Sequence, residues 1–421
     1  MQNKFPDDFL WGASTSAYQV EGGNSNCDWA KWEKETAHEE CLSACGHYTR
    51  FKNDFAIAKE LGHNAHRLGL EWSRLETSEG VWDEKEWAHY KEVLDELLLN
   101  GIEPLLTLHH FTLPLWLSEK GGWLNPESPL IFKRFAEKAA KELGKRVKYW
   151  ITINEPNILA ILAYFWSQWP PCHKNFEEAV TVLKNMLRGH ALAYTAIKDI
   201  AGNASRIGVA KAVTAFHPES LFSISDRLAC ALRSRFHNYC FISSLINGRI
   251  EFDVLKKEKL PSSSTLDFIG LNYYFRQFIR GDKNIFKHPF GEVVSPPPRV
   301  GKREITDMGW EVYPEGLYEV AKAFKKYRLP LFITENGLAT IDDEKRKNYI
   351  KGHLFSVLKA INEGIPVKGY LHWSLLDNFE WDSGYSKKFG LVYVNFRTLE
   401  RTIRPSARYY SEIIRSGRIV T

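Results

Sequence analysis

At 421 residues the chain is long enough for two or three ordinary domains or for one large barrel, and its 44% hydrophobic and 25% charged residues exclude disorder, collagen and coiled coil. The net charge of +5 is the balance of 56 basic and 51 acidic residues spread along the chain, without the basic block that tracks nucleic-acid phosphates, so no nucleic-acid partner is expected. Six cysteines (27, 41, 45, 172, 230 and 240) are too few and too irregular for a disulfide scaffold and read as reduced and mostly buried.

In chain order, the opening MQNKFPDDFLWG lacks the apolar core of a signal peptide. The longest apolar run, Ile158 to Trp166, is nine residues where a bilayer needs roughly 20, so a soluble, cytoplasmic protein is expected. Short apolar or β-branched runs then alternate with helical patterns. Strands are predicted near 8–13, 64–70, 103–109, 147–153, 206–213, 266–271, 330–334 and 367–373, with helices over 84–100, 130–143, 176–200, 314–327 and 344–363. No linker or low-complexity tract divides them, and Pro296 to Pro298 reads only as a surface loop, so residues 1–421 are expected to form one domain. Eight unbroken alternations point to an α/β fold, a single (β/α)8 TIM barrel. No G-x-G-x-x-G opens a first helix and no G-x-x-x-x-G-K-[ST] occurs, so the dinucleotide and P-loop readings lose their support and no cofactor is expected.

Barrel active sites gather at the C-terminal ends of the strands. There the chain offers Ser14 to Gln19, Arg67, His109-His110, Asn154-Glu155-Pro156, Asn272-Tyr273-Tyr274, Glu335-Asn336-Gly337, and Trp373 followed by Asn378-Phe379-Glu380-Trp381. Two glutamates, Glu155 and Glu335, end apolar strands that face each other across a barrel mouth. Two such carboxyls suit glycoside hydrolysis, in which one protonates the leaving oxygen and the other supports an oxocarbenium-like centre. The 14 Trp, 18 Tyr and 25 Phe include many rings outside any helical or alternating pattern, and such rings stack well on sugar faces. Cys41, Cys45 and His47 lie close together, but C-x3-C-x-H matches no standard zinc spacing and no fourth ligand is evident, so no metal is expected.

Seven stretches carry a resemblance. FPDDFLWGASTSAYQVEGG, TLHHFTLPLW, ITINEP, GLNYY, DMGWEVYPEGLY, FITENG and HWSLLDNFEW with GYSKKFGLVYV stand in the order of family 1 glycoside hydrolases, the β-glucosidase and β-galactosidase family, over nearly the whole chain. The resemblance implies a retaining β-glycosidase, with Glu335 of ITENG as nucleophile and Glu155 of INEP as general acid/base. It counts Arg67, Tyr274 and Asn272 among the residues that orient the nucleophile. Gln19, His110, Asn154, Glu380 and Trp381 match the ring of groups around the glycone, Trp373 the aromatic floor, and Trp310 the platform for the leaving group, with Phe389 beside them. The partner implied is a small β-glucoside, and β-galactosides, β-mannosides and alkyl or aryl glycosides follow. The resemblance leaves two alternatives on the same scaffold, a transglycosidase and a non-catalytic sugar-binding relative, with an inverting hydrolase more distant.

Several departures qualify the resemblance. The branch that cleaves 6-phosphoglycosides carries Ser where this chain has Glu380 and Tyr where it has Phe389; a carboxylate would repel a phosphate, whereas Lys387 is common to both branches. Phe111 stands where Trp is more usual and lacks the indole N–H that reaches a glycone hydroxyl, which leaves the ranking of sugars open. The chain is somewhat short, with a trimmed stretch expected between the fifth and seventh strands. The segment AYFWSQWPP is expected to place Trp166 and Trp169 at the entrance, where they would favour apolar leaving groups or touch a membrane surface. Only four Gln (2, 19, 168, 277) and three Met fit a heat-resistant protein. The oligomeric state has no signal in the sequence.

Overall fold

In a computed structural model, which describes residues 4–252, 258–284 and 288–420, eight parallel strands close on themselves. They are β1 (Leu10–Ser14), β2 (Ala65–Gly69), β3 (Glu103–His109), β4 (Tyr149–Asn154), β5 (Arg206–Pro218), β6 (Phe268–Arg280), β7 (Leu331–Asn336) and β8 (Val367–Trp373). Each pairs with its neighbour in chain order, and β8 pairs with β1 in register Leu371 with Gly12, so no edge remains. A short strand β9 (Glu292–Val294) lies antiparallel on the far end of β6.

A principal helix follows each barrel strand: α1 (His47–Glu60), α2 (Glu84–Leu99), α3 (Ser128–Leu143), α4 (Phe176–Ala201), α5 (Cys240–Asn247), α6 (Pro314–Phe324), α7 (Asp343–Asn362) and α8 (Pro405–Ser416). Local chemistry starts several of them. Asp83, Asn175 and Asp342 each accept two backbone N–H groups at the start of α2, α4 and α7, satisfying donors that the helix itself leaves unpaired. Gly417 closes α8 in the left-handed conformation, where a Cβ would be strained. The expected helices agree with these to within a few residues. Helices α1, α5 and α8 were not among those expected; α5 continues directly from the helical turn Arg235–Tyr239.

Covered on both faces, the strands divide two cores. Outward-facing Leu106 and Leu108 of β3 join the layer shared with Trp87, Leu97, Phe132 and Phe135 of the helices, while Ala65, Leu105, Ile151, Ala210, Phe268, Phe332 and Leu371 fill the barrel. Truncating Phe332 to Ala would cost about 3–5 kcal/mol through lost contact and the cavity left behind. Above this plug, alternation aims the next residue of each strand inward: Arg67 follows Ala65, Thr107 follows Leu105 and Thr334 follows Phe332. Register irregularities then interrupt β4 between Ile151 and Asn154, and β7 between Ile333 and Glu335, and these re-aim the two strand ends toward the mouth.

Strands β5 and β6 run past the barrel rim, to 218 and 280, where the sequence pattern ends them near 213 and 271. Their extensions raise one wall above the mouth. Cys41, Cys45 and His47 do not converge: the thiols donate to Tyr18 O and Asp377 O, and the imidazole pairs with Asp54 at 2.8 Å. Cys172 is exposed and the other five cysteines are buried. Among the described residues no helix is long and apolar enough to cross a membrane.

Candidate active site

The strand ends surround a cavity of about 460 Å³. Behind its lining Arg67, fully buried, divides its guanidinium among three strands. Nη1 pairs with Glu335 Oε1, Nη2 donates to Asn154 Oδ1 at 2.6 Å, and Nε donates to Thr107 Oγ1 at 3.0 Å. A fork of fixed donors locks both acceptors in place, a task that a flexible ammonium would do poorly. The other oxygen of Glu335, Oε2, accepts the Tyr274 hydroxyl at 2.6 Å. Both oxygens of this carboxylate are therefore held by strong donors from different strands. Gly337 lies so close to β8 that a Cβ there would stand 1.8 Å from the Trp373 carbonyl oxygen, which is why the turn after Glu335 takes no side chain.

Glu155 has different surroundings. It sits in the left-handed region at φ 43° and ψ 56°, and its backbone N–H is fixed by Ala210 O at 2.7 Å. Its Oε1 accepts the Asn272 amide at 2.8 Å. Burial, and after it the negative charge of Glu335, push the Glu155 carboxyl well above the ordinary carboxylate range; Asn272, Arg67 and Lys211 pull the other way. The two glutamates of one mouth are thus unlike: one is paired with a cation and a phenol, the other is held toward its protonated form.

Asn272 differs from its expected place. Its amide reaches Glu155 and Asn154 rather than Glu335, while its oxygen accepts from Thr334 Oγ1 at 2.6 Å, so it orients the other glutamate. The physical reason is orientation: with Thr334 on the oxygen, only the NH₂ end faces the mouth. Asn154 is fixed similarly, its Oδ1 taking Arg67 and Asn272 and its amide therefore facing His110 Nε2 at 3.0 Å. Burial and the nearby Arg67 hold His110 well below the ordinary imidazole range, hence neutral.

Most of the expected sugar-binding residues line the same cavity: His110, Asn154, Trp310, Trp373, Glu380, Trp381 and Phe389. Gln19 stands one layer back, its amide on Phe379 O at 2.8 Å and Glu380 Oε2 at 3.3 Å, so it holds Glu380 from behind. Burial, then the charge of Glu335, push Glu380 up to about 8, so near neutrality it is largely protonated. That weakens the expected repulsion of a phosphate. Lys387, however, spends its ammonium on Asp307 O at 2.8 Å, outside the cavity, and offers a phosphate nothing.

Trp381 stacks on Tyr18 at 5.8 Å and packs on Trp29 at 4.6 Å, and Trp310 leans on Phe275 at 5.0 Å and Tyr274 at 5.3 Å. Of the two tryptophans expected at the entrance, only Trp166 is there, 49% exposed. Trp169 turns inward, buried against Phe111 at 5.0 Å and Trp29 at 5.2 Å, and joins the cavity lining from there. The apolar patch expected to meet a lipid surface therefore rests on Trp166 and its neighbour Phe165. Sequence reasoning missed the outer wall, where Ile161, Leu162, Phe176, Phe236, Phe275 and Phe290 extend the cavity outward. The apolar run Ile158 to Trp166, which holds Ile161 and Leu162, was a signal for part of it.

Over this geometry, the sequence profile described as Glycosyl hydrolase family 1 matches residues 1–418. The chain belongs to that family. Family 1 enzymes are retaining glycosidases, and this protein is a glycoside hydrolase on a (β/α)8 barrel. It is 34% identical to a 1,4-β-D-glucan glucohydrolase of Thermotoga neapolitana, over 98% of this chain and 99% of that one. It is 35% identical to β-glucosidase A of Thermotoga maritima, over 98% of each. Among solved structures, a β-glycosidase from Pyrococcus horikoshii superposes with a TM-score of 0.93 at 39% identity, covering 100% of this chain and 97% of that one.

Proposed function

We propose that this family 1 glycosidase hydrolyses terminal non-reducing β-D-glucosides, and the corresponding β-galactosides and β-mannosides, with Glu335 as nucleophile and Glu155 as acid/base. The observation that carries the reading is the asymmetry of the two glutamates: Arg67 and Tyr274 occupy both oxygens of Glu335, while Glu155 is held toward its protonated form.

In the first half-reaction Glu335 attacks the anomeric carbon, the glycosidic C–O bond breaks, and Glu155 gives its proton to the departing oxygen. The glycosyl–Glu335 ester has no net charge, so the charge that kept Glu155 protonated disappears. Glu155, now a carboxylate, takes a proton from water as that water attacks the anomeric carbon, and Glu335 leaves as a carboxylate onto Arg67 and Tyr274. Asn154 is placed to bond the sugar 2-hydroxyl, where a hydrogen bond strengthens in the transition state. Trp373 forms the floor, with Glu380 and Trp381 at the far side of the sugar.

The outer wall favours an apolar aglycone. The cavity is lined there by Ile161, Leu162, Phe165, Trp166, Phe236 and Phe290, surfaces that gain by excluding water from an alkyl or aryl group. With no cation offered by Lys387, the glycone is unphosphorylated. We place the activity in one domain spanning the chain.

Proton NMR of a simple β-glucoside with the purified protein tests this reading. Initial β-glucose is expected. Initial α-glucose would overturn the assignment of roles, and no turnover of glucosides or galactosides would favour a sugar-binding relative.

A further inference from the structure

Behind Glu155, β5 carries a lysine in an unusual setting. Lys211 is fully buried, and its Nζ donates to two backbone carbonyls, Ala212 O at 2.9 Å and His237 O. Burying a lysine head group is costly, so its place inside a strand calls for a role.

The backbone around it is the backbone that holds Glu155. Ala210, one residue before Lys211, accepts the Glu155 N–H, and Ala212, one residue after, accepts the Asn157 amide at 3.3 Å. That amide also meets the His237 ring, 3.0 Å from Nε2. His237 belongs to a π-helical turn, Arg235–Tyr239, which Lys211 fastens to β5 through the His237 carbonyl. Lys211, His237 and Asn157 therefore join three segments around one turn, and that turn places a non-glycine residue at positive φ, a conformation that persists only where its surroundings impose it. His237 also lines the cavity, so the same contacts reach the aglycone wall.

Charge acts in the same direction. Lys211 favours the carboxylate form of Glu155, and Glu155 in turn supports a lysine that burial pushes well below its ordinary value. Glu155 also feels Glu335 from β7 and Arg67 from β2, and its own charge reaches Tyr274 on β6 and Glu380 after β8; Lys211 also faces His237 and Cys240.

We propose that Lys211 is a positioning residue for Glu155, aiming its carboxyl through the His237–Asn157 contacts and easing release of its proton for the water-activating half of the cycle. The proposal rests on Glu155 being the acid/base.

Lys211→Met in the full chain tests it, with kcat/KM followed against pH on a 4-nitrophenyl glucoside, and kcat compared between 2,4-dinitrophenyl and butyl β-D-glucosides. The alkaline limb is expected to move to higher pH, because Glu155 and Lys211 favour each other's charged forms and that support for the Glu155 carboxylate is gone. The butyl glucoside is expected to lose about tenfold more rate than the dinitrophenyl glucoside, because only the former needs a well-aimed proton. An unmoved limb with equal losses would overturn the proposal. Should Lys211→Met fail to fold, Asn157→Ala cuts the Asn157 bonds to Ala212 O and the His237 ring, the contacts through which the aiming runs, and leaves the lysine in place; equal losses on the two glucosides in that variant would also overturn it. Glu155→Gln is the control. A leaving-group split there but not at Lys211 or Asn157 sinks the proposal alone, and no split at Glu155 sinks the acid/base reading itself.

Discussion

Tyr274→Phe removes one hydroxyl from the hold on Glu335 and leaves the ring in place against Trp310 and Phe389, at 5.3 and 6.3 Å. The lost bond is short, 2.6 Å, partly buried, and accepted by a carboxylate. Bonds of that kind contribute about 1.5–3 kcal/mol net. At 1.36 kcal/mol per factor of ten, the loss amounts to roughly ten- to 150-fold if the bond is fully expressed in the rate-limiting step. The step is specified by where charge appears. Glu335 is neutralised when the ester forms and regains its charge when the ester breaks, so the phenol helps the carboxylate depart more than it helps it attack. Deglycosylation should therefore slow most. With 2,4-dinitrophenyl β-D-glucoside, whose departure is easy, stopped-flow absorbance should show a burst of dinitrophenolate followed by a slow steady state, with kcat and KM falling together. A steady-state kcat within twofold of the parent, with no burst, would refute the reasoning.

Other outcomes follow from the same geometry. Glu335→Gln should abolish turnover of aryl β-glucosides with the circular dichroism spectrum unchanged; near-parental rates would remove it as nucleophile. Glu155→Gln should spare the first step for very good leaving groups and suppress it for poor ones, and equal losses across a leaving-group series would count against it as the acid. The pH dependence has a definite sign: the carboxyl of Glu155 is raised and must be protonated to act, so kcat/KM should hold through neutrality and fall only as pH rises further. A fall beginning near the ordinary glutamate value, about 4.3, would contradict this. A calorimetric midpoint within the mesophile span of about 45–65 °C would contradict the heat resistance inferred from few Gln and Met.

Much of the site was legible because parallel barrel strands announce themselves as apolar runs, and the first polar residues after each run fall on one rim. Asn154, Glu155, Tyr274 and Glu335 are found this way, and Arg67 as a charged residue inside its run. Their mutual distances are not, since Arg67 and Glu335 meet across 268 positions of chain. Nor does strict alternation find Glu335, which a register irregularity turns into the mouth. The order of motifs identified the family; it could not say that Asn272 serves Glu155, because that depends on Thr334 occupying the amide's other end.

Trp166 and Trp169 make the same distinction in one segment. Three positions apart in one aromatic run, they are alike in sequence, yet one is exposed at the rim and the other is buried beneath Phe111. Composition and periodicity determined the barrel and its polar rim, because burial on two faces leaves a strong local imprint on each strand. The tertiary structure alone decided which carboxyl meets the cation, where the apolar outer wall rises and what surrounds Lys211, because each is a contact between segments that no local pattern relates.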